Sequence, residues 1–155
     1  MTQIELNRDF RDVLVALVDA RADFLLIGGW ALAVHGHVRG TDDLDIFVRA
    51  TPENGGRVFA ALREFGAPLA AHGVTEQVFS RPGQGYRMGI KPNLIELLTT
   101  IDGVSFEEAW EDHIELDIDG RAVPTMGRGA LLKNKTASGR PKDLADVEWL
   151  TKSEP

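Results

Sequence analysis

A mixed α/β fold, with one mixed β-sheet flanked by helices, is what this chain predicts, and three observations carry that expectation. Short apolar runs of strand length alternate with segments whose apolar residues recur at helical spacing. Asp119-Gly120, set between "IELDI" and "RAVPT", adds a hairpin to the alternation. The 155 residues, 43% of them hydrophobic, suffice for one sizeable core but not comfortably for two, so a single domain over residues 1–155 is expected.

Thr2 and Glu5 stand at capping-box spacing ahead of Phe10, Val13, Leu14, Leu17 and Val18, which repeat every three or four residues and predict a first helix. "DFLLIGG" reads as a short buried strand ending in glycine. "WALAVHG" reads as a helix that starts at those glycines and stops at Gly36. "LDIFV" is a second strand. Thr51-Pro52-Glu53 starts a helix with Val58, Phe59, Leu62 and Phe65 on its apolar stripe, although Gly55 and Gly56 weaken its first turn. "EQVFS" and "YRMGI" read as strands around the turn-rich "RPGQG", and "NLIELLTTI" as another. "SFEEAWEDH" predicts a short helix, the Asp119-Gly120 hairpin follows, and residues 127–137 and 141–151 close the chain as helices. No repeat, low-complexity tract or linker interrupts the pattern.

The formal charge of −7 and pI of about 5.0 make the molecule repel a nucleic-acid backbone, so duplex binding by a general basic surface is not expected and any anion must be gripped locally. The absence of cysteine removes disulfides, thiolate metal sites and cysteine nucleophiles together. The start "MTQIELNRDF" is polar and acidic, and no apolar run approaches the roughly 20 residues that span a bilayer, so no membrane association and a cytoplasmic location are expected.

Asp43 and Asp45 interrupt the second strand, where Asp is disfavoured. Side chains alternate across a strand, so both carboxylates share one face, with α-carbons about 6.5 to 7 Å apart, within reach of one divalent ion. A hard cation such as magnesium removes the repulsion between two such acids; a strand with one solvated face is the alternative. Glu96 is the only charge in "NLIELLTTI" and leaves the face that carries Ile95 and Leu97. If its strand lies beside 44–48, three acids make a site for one or two magnesium ions, the arrangement used in phosphoryl or nucleotidyl transfer. Otherwise Glu96 faces water on an edge strand. Gly28-Gly29, where a strand ends and a helix begins, lets a phosphate approach backbone amides closely, or serves the turn alone.

"IGGWALAVHGHVRGTDDLDIFV" resembles the signature of the nucleotidyltransferase superfamily of the DNA polymerase beta type: a Gly-Gly or Gly-Ser turn, a spacer, Asp-hydrophobic-Asp and a later strand acid. It is most similar to the small bacterial branch near the aminoglycoside nucleotidyltransferases and the abortive-infection toxin-type nucleotidyltransferases. "NLIELLTTIDGVSFEEAW" and "LLKNKTASGRPKDLADVEWL" resemble that branch too, so the likeness runs over roughly residues 23–150. Carried over by position, the resemblance implies that Gly28 and Gly29 bind phosphates, that Asp43 and Asp45 hold magnesium, and that Glu96 is the third acid, as metal ligand or as general base. It implies an NTP donor, with ATP expected, and two magnesium ions. The expected reaction moves an NMP from NTP to a hydroxyl acceptor with release of pyrophosphate, the acceptor being an RNA end, a protein hydroxyl or a small molecule. The alternative is a catalytically silent module of that fold that binds nucleotide or a partner, in a toxin-antitoxin or defence system. A homodimer groove could receive the acceptor.

Arg39, just before the acidic strand, is a candidate nucleotide contact or a partner for Asp42. Thr41 either begins the strand or touches a phosphate. Lys133, Lys135, Arg140 and Lys142 concentrate positive charge. The resemblance favours Lys135 and Lys142 as ligand contacts, while Asp143 and Asp146 could neutralise them instead. His35 and His37 are backed for no role, and Trp30, Trp110 and Trp149 read as core or interface. Glu107, Glu108, Glu111 and Asp112 would suit an aminoglycoside acceptor or form a solvated helix face. "GRGALLKNK" lacks phosphate-loop spacing, no Gly-x-Gly-x-x-Gly follows a strand, and no serine sits in a nucleophile elbow.

Overall fold

The protein is described here by a computed structural model, covering residues 4–38 and 40–152. Thr2 and Arg39 lie outside the described residues, and with Thr2 the expected capping box. Helix α1 (Arg8–Asp19) starts at Asn7, whose side chain accepts from the Phe10 amide at 2.9 Å. Strand β1 (Phe24–Ile27), helix α2 (Gly28–Val34), strand β2 (Asp43–Val48) and helix α3 (Pro52–Phe65) follow as the sequence predicts.

"EQVFS" departs from expectation. Glu76–Phe79 forms a 3-10 turn packed on α3 rather than a strand. Phe79 is its one fully buried residue and Val78 packs next to it, so its apolar anchors are adjacent rather than alternating as a strand needs. Gly55 makes the contact tight, since a Cβ there would overlap Ser80. The glycine that weakens α3 locally is what lets the turn seat.

Strands β3 (Gly85–Met88) and β4 (Leu94–Leu98), helix α4 (Phe106–Glu111), the hairpin of β5 (Ile114–Ile118) and β6 (Arg121–Thr125), and helices α5 (Arg128–Ser138) and α6 (Pro141–Lys152) complete the fold. Asp119 and Gly120 turn the hairpin with φ of 52° and 80°, the left-handed pair a two-residue turn requires.

The six strands form one mixed sheet in the order β3-β4-β2-β1-β6-β5. β2 runs antiparallel to β1 and parallel to β4. The two faces of β2 therefore see different layers. Leu44, Ile46 and Val48 enter the core shared with α1 and α3. Phe47 points to the other face and packs with Phe106 of α4 and the α5–α6 side of the molecule. Asp43 and Asp45 share the Phe47 face by alternation, where the helices leave part of the sheet uncovered. The same alternation on β4 buries Ile95 and Leu97 in the first core and leaves Glu96 on the open side. No described helix is long and apolar enough to cross a membrane.

Candidate functional site

The uncovered part of the sheet is the floor of a cleft of about 410 Å³. Asp43, Asp45 and Glu96 line it, with Gly28 at one end. Asp45 and Glu96 are direct register partners across β2 and β4, so two carboxylates start from neighbouring backbone positions on one face. Lys135 and Ser138 of α5, Arg140 just before α6 and Lys142 in its first turn line the same cleft, as do Arg87 of β3 and Lys91 after it.

Asp45 bears the electrostatic consequence. Burial, followed by the charges of Glu96 and Asp43, raises its carboxyl from 3.8 to about 6, while Lys135 and Lys142 oppose the shift. Asp43 Oδ1 is buried with no hydrogen-bond partner. A buried, unsatisfied carboxylate oxygen beside an acid that resists ionisation is what an oxygen-seeking cation would relieve, so the donor set fits a magnesium-like ion. The third acid stands differently. Glu96 Oε2 accepts from Arg87 Nε at 3.0 Å, and among the described residues no three His, Asp or Glu side chains converge on a common metal position.

Gly28 and Gly29 separate in role. Gly28 adopts φ +69° and lines the cleft, and a Cβ there would overlap Asp45 Oδ2. Gly29 is buried, and a Cβ there would press on the Thr41 side chain at 3.0 Å. Thr41 Oγ1 in turn donates to the Asp43 carbonyl at 3.1 Å, so its hydroxyl shapes the entry to β2. Gly29 and Thr41 do not border the cleft.

Lys135 does border it, but from a buried position: only 7% of its side chain is exposed, and Nζ lies 3.3 Å from both Asp143 Oδ1 and Asp146 Oδ2. Burial works against a charged Asp143, yet the hydrogen bond from Arg140 and the charge of Lys135 outweigh it and hold the carboxyl down at about 2. Asp146 also faces His37 at 3.6 Å, and His37 stacks on Trp149 with ring centroids 4.5 Å apart. His35 bonds the Met126 carbonyl at 2.9 Å. Both histidines thus belong to the packing of α2 and its loop against the C-terminal elements. Trp30 meets Phe10 edge-on, and Trp110 lies between Phe106 and His113.

The acids of α4 do not reach the cleft. Glu107 pairs with Arg49, Glu108 pairs with Lys133, and Glu111 and Asp112 are absent from the lining as well. Sequence reasoning missed Arg87, Lys91 and Asp102, which do line it. Arg87 had a signal: it alternates with Tyr86 and Met88, so it had to leave the core face.

No protein-family model and no curated protein matches this chain. Solved structures do. A Thermotoga maritima protein assigned to the nucleotidyltransferases by inference superposes with a TM-score of 0.60 at 15% identity, over 94% of this chain and 92% of its own. The solution structure of the antibiotic-resistance factor ANT(2'')-Ia gives 0.57 at 18% identity, over 92% and 80%. The crystal structure of ANT(2'')-Ia in complex with adenylyl-2''-tobramycin gives 0.51 at 18% identity, over 90% and 83%. The fold is that of the nucleotidyltransferases.

Proposed function

We propose that this chain is an NTP-dependent nucleotidyltransferase that transfers an NMP, with ATP as donor, to a hydroxyl acceptor and releases pyrophosphate. The observation that carries the reading is the pair Asp43 and Asp45 on one strand face, beside Glu96 on the next strand, in one cleft with Lys135, Arg140 and Lys142. Acids and cations that line one cleft are suited to a metal-bound polyphosphate.

Asp43 and Asp45 would hold magnesium, which when bound neutralises triphosphate charge and polarises the α phosphate. Lys142 and the buried Lys135 would supply positive charge to the phosphate oxygens, and Arg140, paired with Asp143, lines the same cleft. Gly28 keeps the backbone low at the strand end, so that Asp45 and a phosphate can share that corner. Glu96 would receive the proton of the acceptor hydroxyl. The acceptor is a hydroxyl of a molecule to be identified; an aminoglycoside, adenylylated in the neighbouring ANT(2'')-Ia complex, is one to be tried.

The test is label transfer. Purified protein, magnesium and each NTP labelled at the α phosphate are incubated with a bacterial lysate or tobramycin, beside the Asp43→Ala/Asp45→Ala double variant. Label that moves to RNA, protein or a small molecule with wild type alone supports the reading and names the acceptor class. Magnesium-dependent NTP binding without transfer favours the silent nucleotide-binding module, and absence of both removes the reading.

A further inference from the structure

We propose that Arg87 is a positioning residue that holds Glu96 apart from the metal pair Asp43 and Asp45 and keeps it as the acceptor-side carboxylate. The inference rests on the nucleotidyl-transfer reading above. Arg87, Glu96 and Asp45 are successive register partners across β3, β4 and β2, so Glu96 stands between a cation and an acid in one row on the open face. Coulomb's law decides where such a carboxylate goes: toward the guanidinium and away from Asp45. Its Oε2 accordingly accepts from Arg87 Nε at 3.0 Å, and Arg87 is its one hydrogen-bonding or ion-pairing partner among the described residues.

The pair has little to offer as a structural tie. The Arg87 side chain is 68% exposed, on the edge strand, and an ion pair so open to solvent contributes little to stability. What it changes is the direction of Glu96. While the guanidinium holds it, two acids rather than three remain to bind a cation, in keeping with the lack of any converging trio. In that position Glu96 takes the proton of the acceptor hydroxyl as its oxygen bonds to the α phosphorus. The bond from that phosphorus to the bridging oxygen breaks, and its electron pair leaves with pyrophosphate.

Mn2+ titration of the full chain, read by electron paramagnetic resonance, tests the division without an acceptor. Glu96→Gln should leave Mn2+ affinity within about twofold of wild type, whereas Asp45→Asn should weaken it about tenfold or more. Arg87→Ala should tighten binding about three- to fivefold by releasing Glu96 to join the pair, and Arg87→Ala/Glu96→Gln should return to the wild-type level. Arg87→Lys, which keeps a cation, should behave as wild type. Equal and opposite effects of Arg87→Ala and Glu96→Gln that simply add would reveal long-range charge alone and overturn the proposal. So would Glu96→Gln weakening Mn2+ binding as much as Asp45→Asn, since Glu96 would then be a ligand despite Arg87. A wild type that binds no more Mn2+ than Asp45→Asn overturns the metal-dependent reading itself, and this proposal with it.

Discussion

Gly28 and Asp45 occupy each other's space: Gly28 turns the chain out of β1 with φ +69°, and any β-carbon there would overlap Asp45 Oδ2. The Gly-Gly turn and the Asp-x-Asp strand, seventeen residues apart, are thus one steric unit.

Gly28→Ala should therefore act twice. The left-handed backbone alone costs an L-residue about 1–2 kcal/mol, which a urea melt would register. Displacement of Asp45 should in addition weaken Mn2+ and NTP binding, measured by titration at a temperature where the variant is folded. A variant destabilised but binding normally would show that the close approach is incidental.

Asp45→Asn should raise the melting temperature of the metal-free protein near neutral pH. It removes a buried carboxylate that Glu96 and Asp43 repel. Calorimetry should show about 2–4 °C for each kcal/mol relieved, and the stabilisation that Mn2+ gives wild type should shrink.

Metal-free stability should fall as pH rises from about 4 to about 6. Over that interval the folded chain retains a proton on Asp45, whose carboxyl sits at about 6, while the unfolded chain has released it at its ordinary 3.8. Saturating Mn2+ should reverse the trend, because the ion favours the ionised pair. Melts across this range, with and without Mn2+, check both signs. Asp143 works in the opposite sense: its stabilisation is fully present above 3.8 and is lost as pH falls through about 2.

Lys135→Met should lower stability by about 1–3 kcal/mol, since it takes from Asp143 and Asp146, 0% and 2% exposed, their shared cation while Arg140 and His37 stay beside them. Adding Asp143→Asn and Asp146→Asn should recover part of that loss in denaturant melts. If Lys135 were a phosphate ligand alone, the single variant would melt like wild type and lose only NTP affinity.

Much of this architecture could be read along the chain. The period of two told that Asp43 and Asp45 share a face and that Glu96 leaves the side of Ile95 and Leu97, because pleating is a local property of the backbone. Spacing and capping signals located the six helices, and Asp119-Gly120 located the hairpin. Glu76–Phe79 misled because its apolar residues suit a strand but one of them, Phe79, is needed under α3.

Partners were beyond local reading. That Glu96 lies against Asp45 and Arg87, that Lys135 is buried between Asp143 and Asp146, and that Glu107 and Glu108 turn to Arg49 and Lys133 are matters of register and packing between segments 8 to 58 residues apart. A sequence lists which charges exist and which face of its own element each one takes. Which opposite charge lies within a few ångströms depends on how strands align and helices dock, and only the folded chain decides that.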